Sequence, residues 1–303
     1  DWVFVELPRD FLELRNGLQD ILRDCMNSLK NEGFVESVAV ARVNKRTLLE
    51  LRTKILAETK SNVRAYQALS HVARAINVLH ASDLLESHGL AALNDYLHGL
   101  KTRKQKTKAV QNLLSDFRIA RVAVKTQSLL AAGVEHPKMQ RMKEIVSGET
   151  ALGKSVIVFA HYRDSVKRIV TELNSIAGVS ARELVGRADG GMTQKKQAAV
   201  IEGFRNREFN VLVATSVGEE GLDIPAVDLV LFFEAVPSEI RLIQRRGRAG
   251  RAKVGNAVVL VTKGSKDEAF LWISRRKEKV MHEQLSDLQD SFESKKQKTM
   301  GEF

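Results

Sequence analysis

The spacing of apolar residues divides this chain into two parts. Over residues 8–137 they recur three and four positions apart: Leu69, Val72, Ile76 and Leu79 in one stretch, Val110, Leu113, Leu114, Phe117 and Val124 in another. That period matches the turn of an α-helix and predicts amphipathic helices with these residues facing a core. Gly33 and Gly89 stand where such helices would stop, and Pro137 closes the region. From residue 138 the rhythm changes to short β-branched runs, Ser155–Ala160, Ala181–Val185, Asn210–Ala214, Val227–Phe233 and Ala257–Val261, separated by helical stretches. Strands alternating with helices predict βαβ units and a parallel sheet buried on both faces. The fold class read from the pattern is α/β, a parallel-sheet domain preceded by an all-α helical domain. A strand-like run, Trp2–Leu7, stands ahead of the helices, and charged helical stretches follow the last strand. The expected divisions are residues 1–7, 8–137, 138–290 and a flexible tail, 291–303.

A length of 303 residues lets each part bury a core of its own. The net charge of +11 and a pI near 9.7 favour a polyanionic partner, nucleic acid first. The single cysteine, Cys25, excludes an internal disulfide and any cysteine-based zinc site. The seven histidines lack metal-ligand spacing, so no metal site is predicted. His71, His80 and His88 read as helix-surface or helix-end residues. No apolar run is long enough to span a bilayer and no signal sequence is visible, which makes a cytoplasmic protein the default. The chain opens at Asp1, directly in a strand-like run, as an excised piece of a longer protein would.

The residues from Arg241 to Arg251 change the picture most. They hold five arginines, no lysine, no acid and two glycines. Arginine presents a planar, permanently charged fork that matches phosphate oxygens in pairs. On a short element after a strand, such a cluster points to a nucleotide's phosphates; a solvated basic helix face is the competing reading.

A second phosphate signal is rejected. Gly148-Glu-Thr-Ala-Leu-Gly-Lys-Ser155 matches the GxxxxGK[ST] pattern, but a working phosphate loop follows a strand and opens a helix. This one follows a helical segment, Lys138–Val146, and runs into a strand. It is expected to be a flexible connector.

Between Lys101 and Lys125 lie eight basic residues, Lys101, Arg103, Lys104, Lys106, Lys108, Arg118, Arg121 and Lys125, against one acid, Asp116. Lys101 to Lys108 is expected at the head of a helix, where positive charge opposes the helix dipole. A cost tolerated there points to a phosphate partner, and a solvated helix face is the alternative. Few aromatics interrupt the run, which favours backbone tracking over base stacking.

Three segments in order, Ser155–Asp164, Asn210–Pro225 and Ser238–Arg251, resemble the C-terminal RecA-like domain of a superfamily-two helicase. Gly191-Met-Thr-Gln-Lys195, Val217–Asp223 and Lys263–Ala269 are similar to the archaeal Hef branch, akin to the Fanconi anaemia M helicase. The helical first part resembles the insert that those proteins carry between two motor domains, with residues 1–7 expected as the end of the first motor domain and 138–290 as the second. The resemblance implies a fragment of an ATP-dependent DNA helicase or translocase, with ATP and Mg held mainly by a first motor domain. Gln244, Arg248 and Arg251 would face the γ-phosphate, with Arg248 and Arg251 as arginine fingers and Gly247 and Gly250 allowing close approach; ion pairs within the domain are the alternative. Gly221 and Asp223 would line the nucleotide cleft, or form an ordinary turn with a capping aspartate. Thr215 would contact the nucleic-acid backbone, or simply cap a helix. His161, Tyr162 and Arg163 would touch the same track, or pack. The insert, with Lys101, Arg103, Lys104, Lys106 and Lys108, would grip duplex or forked DNA as a polymerase thumb does.

The resemblance further implies an archaeal, nucleoid-associated location. The chain shows no carboxylate cluster of a fork nuclease. Gln297, Met300 and Phe303 resemble a degenerate sliding-clamp binding peptide, with a disordered tail as the alternative. An RNA-directed helicase of the Dicer or innate-sensor kind, and a non-motor module that binds nucleic acid, stay open as other functions. Alone, the chain is expected to bind DNA and not to hydrolyse ATP.

Overall fold

The computed structural model describes residues 1–37, 43–58, 63–187, 191–215, 227–234 and 254–272. The chain divides into two compact units, Phe4–Val146, and Asp1–Val3 together with the chain from Ser147 onward.

The first unit is built from α1 (Arg9–Asn31), α2 (Lys45–Glu58), α3 (Val63–His88), α4 (Leu90–Thr102), α5 (Lys108–Leu114), α6 (Phe117–Ala131) and the first part of α7 (Pro137–Ala151). Helix α1 buries Phe11, Leu14, Leu18, Ile21, Leu22, Cys25, Met26 and Leu29, a continuous stripe at three- and four-residue steps. Its main partner is α3. There Ala65, Ala68, Val72, Ala75 and Leu85 are fully buried, while Leu69 and Ile76 lie half-buried at the margin. Small side chains on the seam let two long helices approach closely. Cys25 lies in this core as a free thiol, and burial pushes its pKa up to about 11.

Glycine closes α1 for a geometric reason. Gly33 takes φ +82°, its N–H bonds the Lys30 carbonyl at 2.9 Å, and the N–H of Phe34 bonds that of Leu29 at 2.9 Å. Two orphan carbonyls are satisfied by a left-handed residue that only glycine adopts freely. Pro137, in contrast, begins a helix: it is the first residue of α7, where its missing N–H costs nothing.

The expected run through Val124 is interrupted. Helix α5 ends at Leu114 and α6 starts at Phe117, with the Asp116 carboxylate accepting the Arg118 N–H at 2.9 Å as its cap. The break resets the helical phase. Val110 and Leu113 are buried as predicted, but Ile119, Val122 and Thr126 take the inward face of α6. Phe117 and Val124 point outward, 76% and 67% exposed.

The second unit is a six-stranded sheet in the order β1-β6-β5-β2-β4-β3. The strands are β1 (Trp2–Val5), β2 (Val156–Phe159), β3 (Ala181–Leu184), β4 (Val211–Ala214), β5 (Val227–Phe232) and β6 (Val254–Thr262). Pairings of β2 with β4, β2 with β5, β3 with β4 and β5 with β6 are all parallel. Every residue of β2 and β4 is buried, as two covered faces require. Ile157, Phe159, Leu212, Ala214, Val230 and Phe232 share one core with Ile201 and Phe204 of α9 (Gln194–Arg205). Helix α8 (Arg163–Asn174) lies against β3 and β4 and buries Val166, Ile169 and Leu173. The α/β class and the RecA-like sheet with an all-α domain ahead of it are as expected.

Candidate nucleic-acid interface

Parallel strands put their carboxyl ends on one edge, where ligands of such sheets bind. Here that edge carries Thr215 after β4, His161, Tyr162 and Arg163 after β2, Glu234 after β5 and Gly186 after β3. Phe159 is in register with both Ala214 and Phe232, so the exits of β2, β4 and β5 stand side by side.

Each exit is fastened. The Glu234 carboxylate, buried at 7% exposure, accepts the backbone N–H of His161 at 2.9 Å. It extends the β2–β5 ladder beyond its last backbone bond, from the Phe233 N–H to the Phe159 carbonyl. The Arg163 guanidinium donates to the Gly186 carbonyl at 2.9 Å. Gln197, buried on α9, donates to the Val185 carbonyl at 2.8 Å. The Thr215 N–H bonds the Leu184 carbonyl at 3.1 Å, and its side chain is nearly buried. Tyr162 is 44% exposed and lies edge-on to the His161 ring. A cavity of about 640 Å³ opens beside these exits, lined by Arg163, Lys167, Gly191, Thr193 and Lys196 among others. Thr193 caps α9, accepting the Lys196 N–H at 3.4 Å. The family resemblance marks Thr215, Tyr162 and Arg163. It misses Glu234 and Gln197, because a single buried polar residue in or beside an apolar run carries no periodic signal.

The phosphate-loop look-alike sits at the opposite, amino-terminal edge. Gly148 to Ala151 form the last turn of α7, and Gly153 at φ +74° turns the chain into β2. The first half of the segment is thus helical, and only Leu152 to Ser155 connect α7 to β2. Lys154 pairs with Glu149 at 2.7 Å, and the Ser155 hydroxyl and N–H both donate to Asp228, at 2.9 and 2.8 Å. Those bonds from Ser155 hold the Asp228 carboxyl below the usual range. Both polar side chains of the pattern are engaged within the fold.

In the helical unit the basic segment is divided in two. Lys101 belongs to the last turn of α4, Arg103 caps it, Lys104 and Lys106 lie in the connection, and only Lys108 stands at a helix head. The expected clash of the whole segment with a helix dipole is therefore wrong; Lys101 lies at the favourable end. Leu90, Leu93, Leu97 and Leu100 bury the inward face of α4. The Gln111 amide holds the Lys106 carbonyl at 3.1 Å, and the Thr107 hydroxyl accepts the Val110 N–H at 3.4 Å. None of Lys101, Arg103, Lys104, Lys106 and Lys108 makes an ion pair among the described residues, and all but Lys106 are exposed.

The other three cations are paired, each with at least one acid of α1, distant in sequence. Arg118 bridges Asp116 at 2.7 Å and Asp24 at 2.6 Å, Arg121 reaches Glu13 at 3.5 Å, and Lys125 binds Asp10 at 3.0 Å and also Glu13. Arg74 completes the group on Asp116. The α1 acids are invisible to a count along residues 101–125.

Gly221, Asp223, Gln244, Arg248 and Arg251 lie outside the described residues, as do Gly247, Gly250, Gln297, Met300 and Phe303. Among the described residues no helix is long and apolar enough to cross a membrane.

Residues 137–253 match the family model described as the helicase conserved C-terminal domain, and residues 10–136 match the one described as "Putative ATP-dependent RNA helicase, helical bundle". The "Putative ATP-dependent RNA helicase MJ1505" of Methanocaldococcus jannaschii is 36% identical over 289 residues, 94% of this chain and 36% of that protein. The "ATP-dependent DNA helicase mph1" of Neurospora crassa is 30% identical over 281 residues, 86% of this chain and 24% of that protein. The crystal structure of the Pyrococcus furiosus Hef helicase domain is similar with a TM-score of 0.80 and 40% identity, over 90% of this chain and 57% of that one. The chain therefore spans about a quarter to a third of the length of these curated relatives.

Proposed function

Because this chain belongs to the superfamily-two helicases of the Hef and Fanconi anaemia M type, and carries their helical bundle and conserved C-terminal domain, we propose that it is part of an ATP-dependent DNA helicase or translocase acting on forked or branched DNA. Its part is to hold DNA and to complete an ATP site from one side. ATP and Mg are the cofactors of the whole machine, held mainly by a first motor domain. Arg248 and Arg251 act as fingers on the γ-phosphate with Gln244 beside them, and Gly221 and Asp223 line the cleft. Thr215, Tyr162 and Arg163 face the nucleic-acid backbone from the carboxyl edge of the sheet.

One observation carries the reading. Among the described residues, five cations, Lys101, Arg103, Lys104, Lys106 and Lys108, stand without a carboxylate while neighbouring Arg118, Arg121 and Lys125 are all paired. A fold able to neutralise its charge nearby has left these for an external anion. DNA phosphates answer that description, and each one neutralised releases counterions. Replacing the five by Gln weakens DNA binding and lowers the slope of log affinity against log salt by about 0.9 for each phosphate no longer neutralised. Unchanged affinity and slope would leave the segment a solvated surface.

The names of the relatives divide between RNA and DNA, so an RNA-directed machine is the second reading. Competition between matched DNA forks and RNA duplexes at fixed salt separates the two. The sliding-clamp contact through Gln297, Met300 and Phe303 is tested by clamp pull-down with a Phe303→Ala chain.

A further inference from the structure

We propose that Phe117 is a base-stacking residue, which contacts an unpaired base next to the duplex held by the basic segment. The inference rests on the nucleic-acid reading above and adds a specific contact to it.

Phe117 is 76% exposed in the first turn of α6. A scattered apolar residue on a surface needs no explanation, but this one is held firmly. Asp116, its neighbour and the cap of α6, has its side chain 8% exposed. Its carboxylate takes the Arg118 N–H at 2.9 Å, the Arg118 guanidinium at 2.7 Å and Arg74. Arg118 in turn reaches Asp24 on α1 at 2.6 Å and lies 6.0 Å from the centre of the Phe117 ring. The helix start is thus bolted to α1 and α3, and it presents a flat ring to solvent. A pre-organised aromatic gains more from a partner than a loose one, because less entropy is lost on binding.

The surrounding charge selects the partner. The acids Asp10, Glu13, Asp20, Asp24 and Asp116 meet the cations Arg23, Arg74, Arg118, Arg121 and Lys125, five against five. This network is neutral, so the local field comes from the unpaired cations of Lys101 to Lys108. Lys108 opens α5 and Phe117 opens α6; seven helical steps and two extended ones separate them by roughly 18 Å at most. That reach is a few nucleotides along a strand. Every base offers a π-face to an aromatic ring, whatever the sequence. Phe117, Arg118, Asp116 and Lys101 to Lys108 all belong to the helical unit.

The test uses the 303-residue chain, with a DNA fork carrying 2-aminopurine at the first unpaired position and a blunt duplex of equal length. Phe117→Ala should weaken fork binding roughly ten-fold, abolish the fluorescence change at 2-aminopurine and leave duplex affinity and salt slope unaltered. Phe117→Trp should restore both fork readouts. Since the ring is exposed, the thermal midpoint of the Ala variant should match the parent chain, which separates a binding loss from misfolding. Equal binding and fluorescence for parent and Ala chains would overturn the proposal, as would a loss equal on fork and duplex. Self-association of the parent chain that Phe117→Ala removes would also overturn it, by making the ring a protein contact. If the parent chain binds neither DNA at low salt, the nucleic-acid reading itself fails, a result distinct from any behaviour of the variant.

Discussion

The Glu234 carboxylate and the His161 backbone N–H meet at 2.9 Å, across two strands that pair in parallel register. A side chain here continues what the backbone ladder began. Beyond His161 the chain runs to Tyr162 and Arg163. Removing the carboxylate in Glu234→Ala leaves a part-buried donor without its acceptor and should cost about 1–3 kcal/mol. Glu234→Gln keeps an oxygen in place and should lose clearly less. Denaturant midpoints of both variants check this, and equal midpoints for Ala and the parent chain would show the bond to be dispensable.

Gly191 packs against Gly186 with no room for a side chain. A Cβ there would overlap the Gly186 carbonyl oxygen and come within 2.9 Å of the Arg163 guanidinium. Gly191→Ala should therefore force the carbonyl away from Arg163 and destabilise the sheet unit by about 1–3 kcal/mol. Thermal unfolding reads the loss. No shift at all would mean that the loop relaxes freely.

Asp116 gives the helical unit an acid-sensitive joint. Hydrogen bonding from the Arg118 side chain, above all, holds its carboxyl below the ordinary value, against the opposing effect of burial. A depressed carboxyl contributes stability above its unfolded pKa, near 3.9, and that stability is lost as pH falls through the lower folded value. Asp116→Asn should flatten the acid limb of stability below about pH 4. Asp116→Ala should cost about 3 kcal/mol at neutral pH, since it strands Arg74 and Arg118 and removes a helix cap. Urea midpoints between neutrality and acid decide both.

Lys154 should be indifferent to nucleotides. It pairs with Glu149 at the amino-terminal edge of the sheet, with a side chain 38% exposed. Lys154→Ala should cost less than about 1 kcal/mol and leave nucleotide affinity unchanged in titration. A large loss of nucleotide binding would restore the phosphate-loop reading.

The arginine assignment is tested in a protein that joins this chain to a first motor domain. Arg248→Ala and Arg251→Ala should each lower ATP turnover by about 10³-fold or more and spare DNA binding. Parallel losses in both would assign these arginines to the nucleic acid instead.

Much of the architecture is legible in the sequence because burial is periodic. The β-branched runs at residues 156–159, 211–214 and 227–232 are strands since both faces of a parallel sheet are covered. The same periodicity misleads at Phe117 and Val124, where a two-residue break at Ser115 and Asp116 rotates the helical face. Pro137 reads as an end because proline interrupts helices; at the first position it starts one. Charge pairing is the least legible, for Arg118 and Lys125 find their acids about a hundred residues away on α1. Glu234 carries no local mark, because only the register of β2 and β5 brings it to His161.

The alanine seam of α3 has a mechanical result. Ala65, Ala68 and Ala75 are fully buried in one core with the long side chains that α1 turns inward, and a core packed that closely transmits strain. A longer residue at any of the three should displace its neighbours rather than fill a gap, so enlargement there should be answered by a strained shift of whole helices.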